Sequence, residues 1–499
     1  MSQSKQRIRL GAIVALTVGA LTISTVVAPS AMAKPKNTVV VAIAGDINNF
    51  DPHTNQLIIY AYGVKFLVFS SLVKYDVEMN IQPDLATYSV NSNATVFTFK
   101  INPKAVFHDG KRVTAAAVIS SLKRAAGTTK SIFTGRFKDV KSYASPAKGT
   151  VVITLKGPDA AFLASLTEIS IVAPSNFGEV GSNPVGSGPY KFVSWQANKK
   201  IQFVRFKKYF GTPGGSKKII ERPMPDEQVA LNALYSGDVD VIAGVSAATV
   251  KQLDASRAKV IRPKTSNSMS FVEFNSSGKL SDVRVRQALA YALDKASIKA
   301  ITYGDGGSST WSPLPESSWA YSRQNGYPYD LAKAKALLVA AGVSDLTFDL
   351  EIPAGYPEAE SLARVWQQSL AEIGVTMNPH VTEISVWIDL YINRKYAVTW
   401  NVFNVPADPN GFFDIIMGAH FADDYKNQKA MDLVTKAKSL GKNAARAKVY
   451  AQLQKIMVDE LPVMMIQSIP VASLTGKNVV GYRINPLGWA LFSQAKISK

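Results

Sequence analysis

The stretch that decides the class of fold runs from Leu346 to Val375: Leu346-Thr347-Phe348-Asp349-Leu350-Glu351-Ile352, then Leu362, Val365, Trp366, Leu370 and Ile373, then Gly374-Val375. The first run reads as a strand. The apolar residues after it recur every three or four positions, which gives a helix one apolar stripe, and Gly374 is placed to end that helix. Val375 starts another strand. Strand, helix and strand in succession imply a right-handed βαβ unit and a partly parallel sheet.

Toward the N-terminus the same alternation continues. Asp330 starts a helix carrying Ala334, Leu337, Leu338 and Ala341, closed by Gly342. Ser281 or Asp282 caps another, bearing Val285, Leu289, Ala292 and Leu293, with Gly304 expected to end it. In the first half, Val39 to Ala44 reads as a buried strand before Gly45-Asp46. Thr95 to Ile101 alternates, with Phe97, Phe99 and Ile101 on one face. Asp109-Gly110 marks a tight turn, Thr114 caps a helix turning Val118, Ile119 and Leu122 inward, and Val151 to Leu155 is a further strand. There is no internal repeat, Ser/Gly-rich linker or heptad pattern, so ordered crossing strands are expected to join the domains.

Composition narrows the function. At roughly 100–200 residues per domain, the 499 residues make about two to four domains. Apolar residues are 47% and charged residues 19%, which excludes a disordered or low-complexity chain. The absence of cysteine excludes disulfides, thiolate metal sites, a Cys nucleophile and a lipid anchor on Cys.

The first 33 residues read as an export signal. Lys5, Arg7 and Arg9 form a basic start, Leu10 to Ala28 is apolar or small, and Ala31-Met32-Ala33 is an A-x-A-like cleavage site. The run is also long enough to stay as a membrane anchor, but the small residues before Lys34 favour cleavage after Ala33. No later run of about 18 apolar residues follows.

The net charge of +19 raises nucleic-acid binding. Lys199, Lys200, Arg205, Lys207 and Lys208 interleave with Phe203, Phe206, Tyr209 and Phe210, a mixture that suits phosphates and bases. Ile201 and Phe203 equally suit a half-buried strand with a solvated basic face. Together with export, this argues against a nucleic-acid partner.

Several segments taken together resemble the extracytoplasmic solute-binding proteins of family 5, the peptide/nickel-type receptors of ABC importers. They are Asn49-Phe50-Asp51-Pro52-His53, Gln82-Pro83-Asp84-Leu85-Ala86, Phe97 to Ile101, Phe107-His108-Asp109-Gly110-Lys111 and Thr114 to Val118. Further on come Gly186-Ser187-Gly188-Pro189-Tyr190, Leu234 to Asp240, and Phe274-Asn275 followed by Arg284 to Leu289. Each is weak alone, but their order and spacing are specific, and they span nearly the whole chain after the signal.

The resemblance implies an α/β, two-lobed periplasmic-binding-protein fold of the large, peptide-receptor type, with an extra subdomain in lobe one. Residues 1–33 would be the signal peptide. Lobe I would comprise 34–80, 185–272 and 470–499, the subdomain 81–184, and lobe II 273–469. Crossing strands would precede Asn275 and lie near Ser468 to Leu474. The lobes would close on a small-molecule or peptide ligand and dock on an ABC permease in the membrane. The protein would act as a monomer, without cofactor or metal, on the periplasmic or extracellular face of the cytoplasmic membrane. A receptor for an oligosaccharide or other organic solute, or a ligand-presenting sensor subunit, shares the fold and stays open.

The resemblance places the ligand cleft along Trp387 to Phe413. Trp387 and Arg394 fit a Trp-x6-Arg spacing; a tryptophan can cover a ligand side chain and an arginine can clamp a carboxylate. Core packing competes for Trp387 and Trp400, and a surface ion pair competes for Arg394. Asn404, Asn48 and Tyr190 are further expected contacts. Asp408, before Pro409, is an expected contact that also reads as a turn residue. Peptide receptors of the family commonly place an aspartate about three residues after the cleft tryptophan, where it holds the peptide's amino group. Here Phe403, Asn404 and Val405 are uncharged, which keeps sugars, blocked peptides and anionic solutes open.

His53, His108, His380 and His420 have no close metal-ligand spacing. His53 and His108 are read as structural, and His420 as a residue that can face the cleft. The chain has no G-x-S-x-G elbow, H-E-x-x-H or G-x4-G-K-[ST], and Glu358 and Glu360 fit a solvated helix start. No catalysis is expected.

Overall fold

A computed structural model describes residues 37–55, 63–131, 133–304, 306–416, 425–441 and 443–498. The signal segment and His420 lie outside the described residues.

Three larger sheets organise the chain. The first has seven strands, in the order Ala258–Ile261, Ser473–Gly476, Val241–Ala243, Thr38–Ile43, Lys218–Pro223, Lys200–Arg205 and Tyr190–Gln196. Thr38–Ile43 runs parallel to both its neighbours and is buried along its whole length, as a strand covered on both faces must be. Ile201 and Phe203 are buried in this sheet, so the basic stretch around them is a half-buried strand. A four-stranded antiparallel sheet, Ala86–Val90, Val96–Ile101, Thr150–Leu155 and Val140–Ala144, carries its own core. Phe97, Phe99 and Ile101 fill that core as their alternation predicts, together with Val118 and Leu122 of the helix Ala115–Gly127. The Thr114 side chain accepts from Ala117 N at 3.1 Å and so caps that helix; Ile119 is only half-buried.

The third sheet has six strands, in the order Ser308–Ser309, Val463–Ser468, Ser268–Phe274, Val398–Asn404, Thr347–Pro353 and Thr376–Thr382. Thr347–Pro353 pairs in parallel with Thr376–Thr382, and the helix Pro357–Glu372 connects them. The sequence-predicted βαβ unit is therefore present. The helix predicted to run on to Gly304 is instead two helices, Val283–Tyr291 and Lys295–Thr302. The break has a local cause: Asp294 accepts from Ala296 N and Ser297 N, so its carboxylate starts the second helix. Gly304, at φ 56°, follows the second helix.

The two family-type histidines are structural in the way their positions suggest. His53 Nε2 meets Ser170 O and His108 Nε2 meets Gly188 O, each at 3.0 Å. Burial pulls both rings down to about 4, so they are neutral at physiological pH.

The chain passes between the seven- and six-stranded sheets at residues 262–267 and again at 469–472. Asn267, at the first passage, is buried and makes hydrogen bonds through both its backbone and its side-chain amide. Its backbone N donates to Pro486 O at 2.8 Å, and its carbonyl accepts from Val405 N at 2.9 Å. Its side-chain amide donates to Val405 O at 3.0 Å, while its side-chain oxygen accepts from Ser317 Oγ at 2.5 Å. Asn267→Ala removes the side-chain bonds and strands the buried Val405 carbonyl and the half-buried Ser317 hydroxyl, so denaturant unfolding should show a loss of about 1–3 kcal/mol. An unchanged midpoint would remove Asn267 as an anchor.

Candidate functional site

A cleft of about 920 Å³ is lined from all three sheets' neighbourhoods: Lys65 and Tyr75, then Phe133, Asp159 and Glu168, then Phe403, Asn404 and Asp414, then Trp489 of the C-terminal tail. Local structure explains how each side chain arrives there. The short helix Val64–Val68 buries Val64, Leu67 and Val68, which leaves Lys65 and Phe66 half-buried on its other face. The chain packs tightly behind this helix because Gly186 and Gly188 lie against the carbonyls of Val68 and Leu67. A Cβ there would stand 2.1 and 2.4 Å from those oxygens, so the Gly-Ser-Gly turn is a packing requirement.

On the opposite wall, burial along Val398–Asn404 fades from complete at Val398 to exposed at Asn404. The strand thus delivers Phe403 and Asn404 to the cleft. The segment behind them is held by Asp408, whose carboxylate receives Arg446 Nη1 and Nη2, both at 2.7 Å. Arg446 also donates to Ala437 O at 3.1 Å and to Tyr450 Oη at 2.9 Å.

The cleft is edged where the four-stranded unit meets the helix Gln428–Ser439: Ala160 N donates to Lys438 O at 3.0 Å. Lys438 Nζ pairs with Asp414 at 2.8 Å. Asp159 stands at the same edge, and burial raises its carboxyl above the usual range, with Lys438 opposing. Toward the seven-stranded sheet, Arg136 pairs with Glu168 at 2.8 Å. Lys65 Nζ lies 5.1 Å from the centroid of the Trp489 ring. The lining thus holds two separate charged groups, Lys65 with Arg136 and Glu168, and Asp159 with Lys438, Asp408 and Asp414, together with the rings of Phe403, Phe133, Tyr75 and Trp489.

Of the residues expected from sequence, Asn404 and Asp408 line this cleft. Asp408 is committed to Arg446, and its Oδ1 also accepts from Asn410 N at 3.0 Å. Arg394 makes neither a surface ion pair nor a contact with the cleft: its Nη1 meets buried Glu273 at 2.7 Å and the Tyr396 hydroxyl at 2.8 Å. Trp387 is buried, donates to Thr399 Oγ1 at 3.0 Å and stacks on Tyr391. Trp400 is 1% exposed in the six-stranded sheet's core. Tyr190 is 0% exposed and its hydroxyl donates to Ser216 O at 2.9 Å. Asn48 is exposed on the loop after Thr38–Ile43, its side chain accepting from Asn49 Nδ2 at 3.1 Å. These five take places outside the cleft lining.

Lys65, Tyr75, Asp159, Asp414 and Trp489 were not reached from sequence. For Lys65 a signal existed, as it is a single cation within the apolar run from Val64 to Phe69. The others come together only through long-range folding.

Three sheets with separate cores, two chain passages and a cleft walled from both sides define a two-lobed α/β solute-binding fold. The family model of the bacterial extracellular solute-binding proteins, family 5 (middle), matches residues 80–439, and the chain belongs to that family. It is 27% identical over 473 residues to heme-binding protein A of Haemophilus influenzae, covering 85% of this chain and 86% of that one. It is 24% identical over 531 residues to the dipeptide-binding protein of Escherichia coli, covering 97% and 98%. The crystal structure of the ABC transporter substrate-binding protein CtaP from Listeria monocytogenes superposes with a TM-score of 0.85 at 23% identity, covering 93% of this chain and 99% of CtaP. The last likeness establishes the fold.

The Asp408–Arg446 pair yields a stability test. Arg446→Met alone leaves a buried carboxylate without its partner and should cost about 3–5 kcal/mol. Adding Asp408→Leu should recover part of that loss. Thermal melts of the two variants check the order, and a double variant less stable than the single one contradicts it.

Proposed function

We propose that the chain is the substrate-binding subunit of an ABC importer, capturing an oligopeptide or peptide-like solute between two closing lobes and delivering it to a membrane permease. The observation that carries this reading is the cleft of about 920 Å³ with two separate charged groups and aromatic walls. That volume lies in the range of ligand pockets, and the separated charges suit a solute with an ammonium at one end and a carboxylate at the other. The relative whose name specifies dipeptides supports the same reading.

In this reading the lobes follow the division expected from sequence, residues 1–33 direct export, and the mature chain starts at Lys34 on the periplasmic or extracellular face. It works as a monomer that binds and releases its ligand unchanged. Asn404 touches the ligand directly, while Asp408, Trp387, Arg394 and Trp400 hold the wall behind it.

A second reading, a receptor for a neutral or other organic solute, draws on Asn404. This exposed amide stands near where peptide receptors carry an aspartate, and it offers both a donor and an acceptor.

A thermal-shift screen separates the two. It compares di- to hexapeptides, with and without an N-terminal acetyl group, against oligosaccharides, heme, glutathione and nickel chelates. A ligand at 100 times its dissociation constant should stabilise the protein by about 2.7 kcal/mol. Free-amine peptides are expected to do so, and Asn404→Asp is expected to tighten them by roughly tenfold. A response to oligosaccharides alone would overturn the peptide reading.

A further inference from the structure

Lys65 differs from the other cleft cations. Arg136 and Lys438 are paired with Glu168 and Asp414, and Lys138 is exposed. Lys65 is half-buried, and among the described residues no carboxylate forms a salt bridge with it. Its Nζ instead faces two rings, Trp489 at 5.1 Å and Phe66 at 5.5 Å from their centroids. Rings attract a cation far less than a carboxylate does.

A second cavity, of about 400 Å³, adjoins the cleft, and Lys65, Tyr75 and Trp489 line both. The side cavity adds the apolar and aromatic surfaces of Phe69, Tyr209 and Leu491. Lys65 therefore stands at the doorway between the large cleft and a smaller pocket whose wall sets Phe69, Tyr209 and Leu491 beside the charged Lys74, Asp84 and Arg483.

We propose that Lys65 anchors a carboxylate of the bound solute at this doorway, with the apolar side chain next to that carboxylate placed in the side cavity. The inference rests on the cleft being the ligand site and specifies the solute further: an acid whose last residue is apolar or aromatic.

The charges around Lys65 leave that role open. Glu168 belongs to Arg136. In the side cavity Asp84 belongs to Lys74 at 3.1 Å, and Asp76 accepts from the side chains of Asn80 and Gln82. Glu78 and Arg483 line the same cavity. Burial pulls the Lys65 ammonium down to about 8, with Glu168 acting to raise it and Arg136 to lower it. An arriving carboxylate stabilises the charged form and raises that value. Affinity for the acid is therefore steady below about pH 7, falls about twofold by pH 8 and about fivefold more between pH 8 and 9.

The test is calorimetry with Ala-Ala-Ala-Phe and its C-terminal amide, on the parent protein, Lys65→Met and Lys65→Arg. Both peptides carry the same amino group, so its titration divides out of their ratio. The acid is expected to bind the parent about tenfold more tightly than the amide. The preference should vanish in Lys65→Met, persist in Lys65→Arg, and shrink in the parent above pH 8. Equal binding of acid and amide by the parent, or an undiminished preference in Lys65→Met, would overturn the role of Lys65 and leave the peptide receptor standing. If Lys65→Met does not fold, Lys65→Gln takes its place, and an undiminished preference for the acid in that variant overturns it as well. If neither peptide of this pair nor any in the screen binds the parent, the peptide reading itself falls, and this inference with it.

Discussion

Asn267 is the point from which both walls of the cleft are hung. It lies where the chain leaves the seven-stranded sheet for the six-stranded one, and its four hydrogen bonds run to three different segments. Through Val405 it fixes the stretch that begins at Asn404 and carries Asp408 and Asp414. Through Pro486 it fixes the C-terminal tail that carries Trp489. An asparagine suits the position because its short amide offers donor and acceptor at once, and burial makes each unmade bond costly.

The second passage of the chain is tied to the first. Ile469 N donates to Ser268 O at 2.8 Å, and Val245 N donates to Ala472 O at 3.0 Å. The second passage is thus bonded to the start of the strand Ser268–Phe274 on one side and to the segment after Val241–Ala243 on the other. Away from them, among the described residues, the far edge is joined by the Ala160–Lys438 bond in front of the Lys438–Asp414 pair and by the close approach of Gly441 to the Ser92 carbonyl. A molecule bonded firmly at one end and lightly at the other is suited to hinge motion. A ligand spanning the cleft adds contacts to the closed arrangement alone, which is the differential free energy that closure requires.

Elements set by local chemistry were legible in the sequence. The alternation of Phe97, Phe99 and Ile101, the caps at Thr114, Asp282 and Asp330, and the strand–helix–strand unit from Thr347 to Thr382 are all where their residues put them. The break at Asp294 escaped because the apolar stripe continues across it while the carboxylate caps a new helix. The candidate site was less legible for a different reason. Trp387 and Arg394 have the chemistry of ligand contacts, but Glu273 lies 121 positions from Arg394 in sequence. Nothing local announces that a buried carboxylate claims the guanidinium. Trp489 likewise reaches the cleft only because the tail returns to the first sheet.

The charge pattern of the cleft is itself a product of this geometry. Asp159 comes from the four-stranded unit, whereas Asp414 and Lys438 come from the six-stranded sheet's helices, so the acidic end exists only where those two parts meet. Its three charges leave a surplus of one negative when all are ionised, and burial works against that charge by raising the Asp159 carboxyl. Separating the two parts would return Asp159 to water and dissolve the pole. At the other end, Lys65 belongs to the seven-stranded sheet's side, and its electrostatic neighbours are Glu168 and Arg136 of the first half of the chain. In the proposed reading, the surplus negative charge of Asp159, Asp414 and Lys438 would stand in for an aspartate at Asn404.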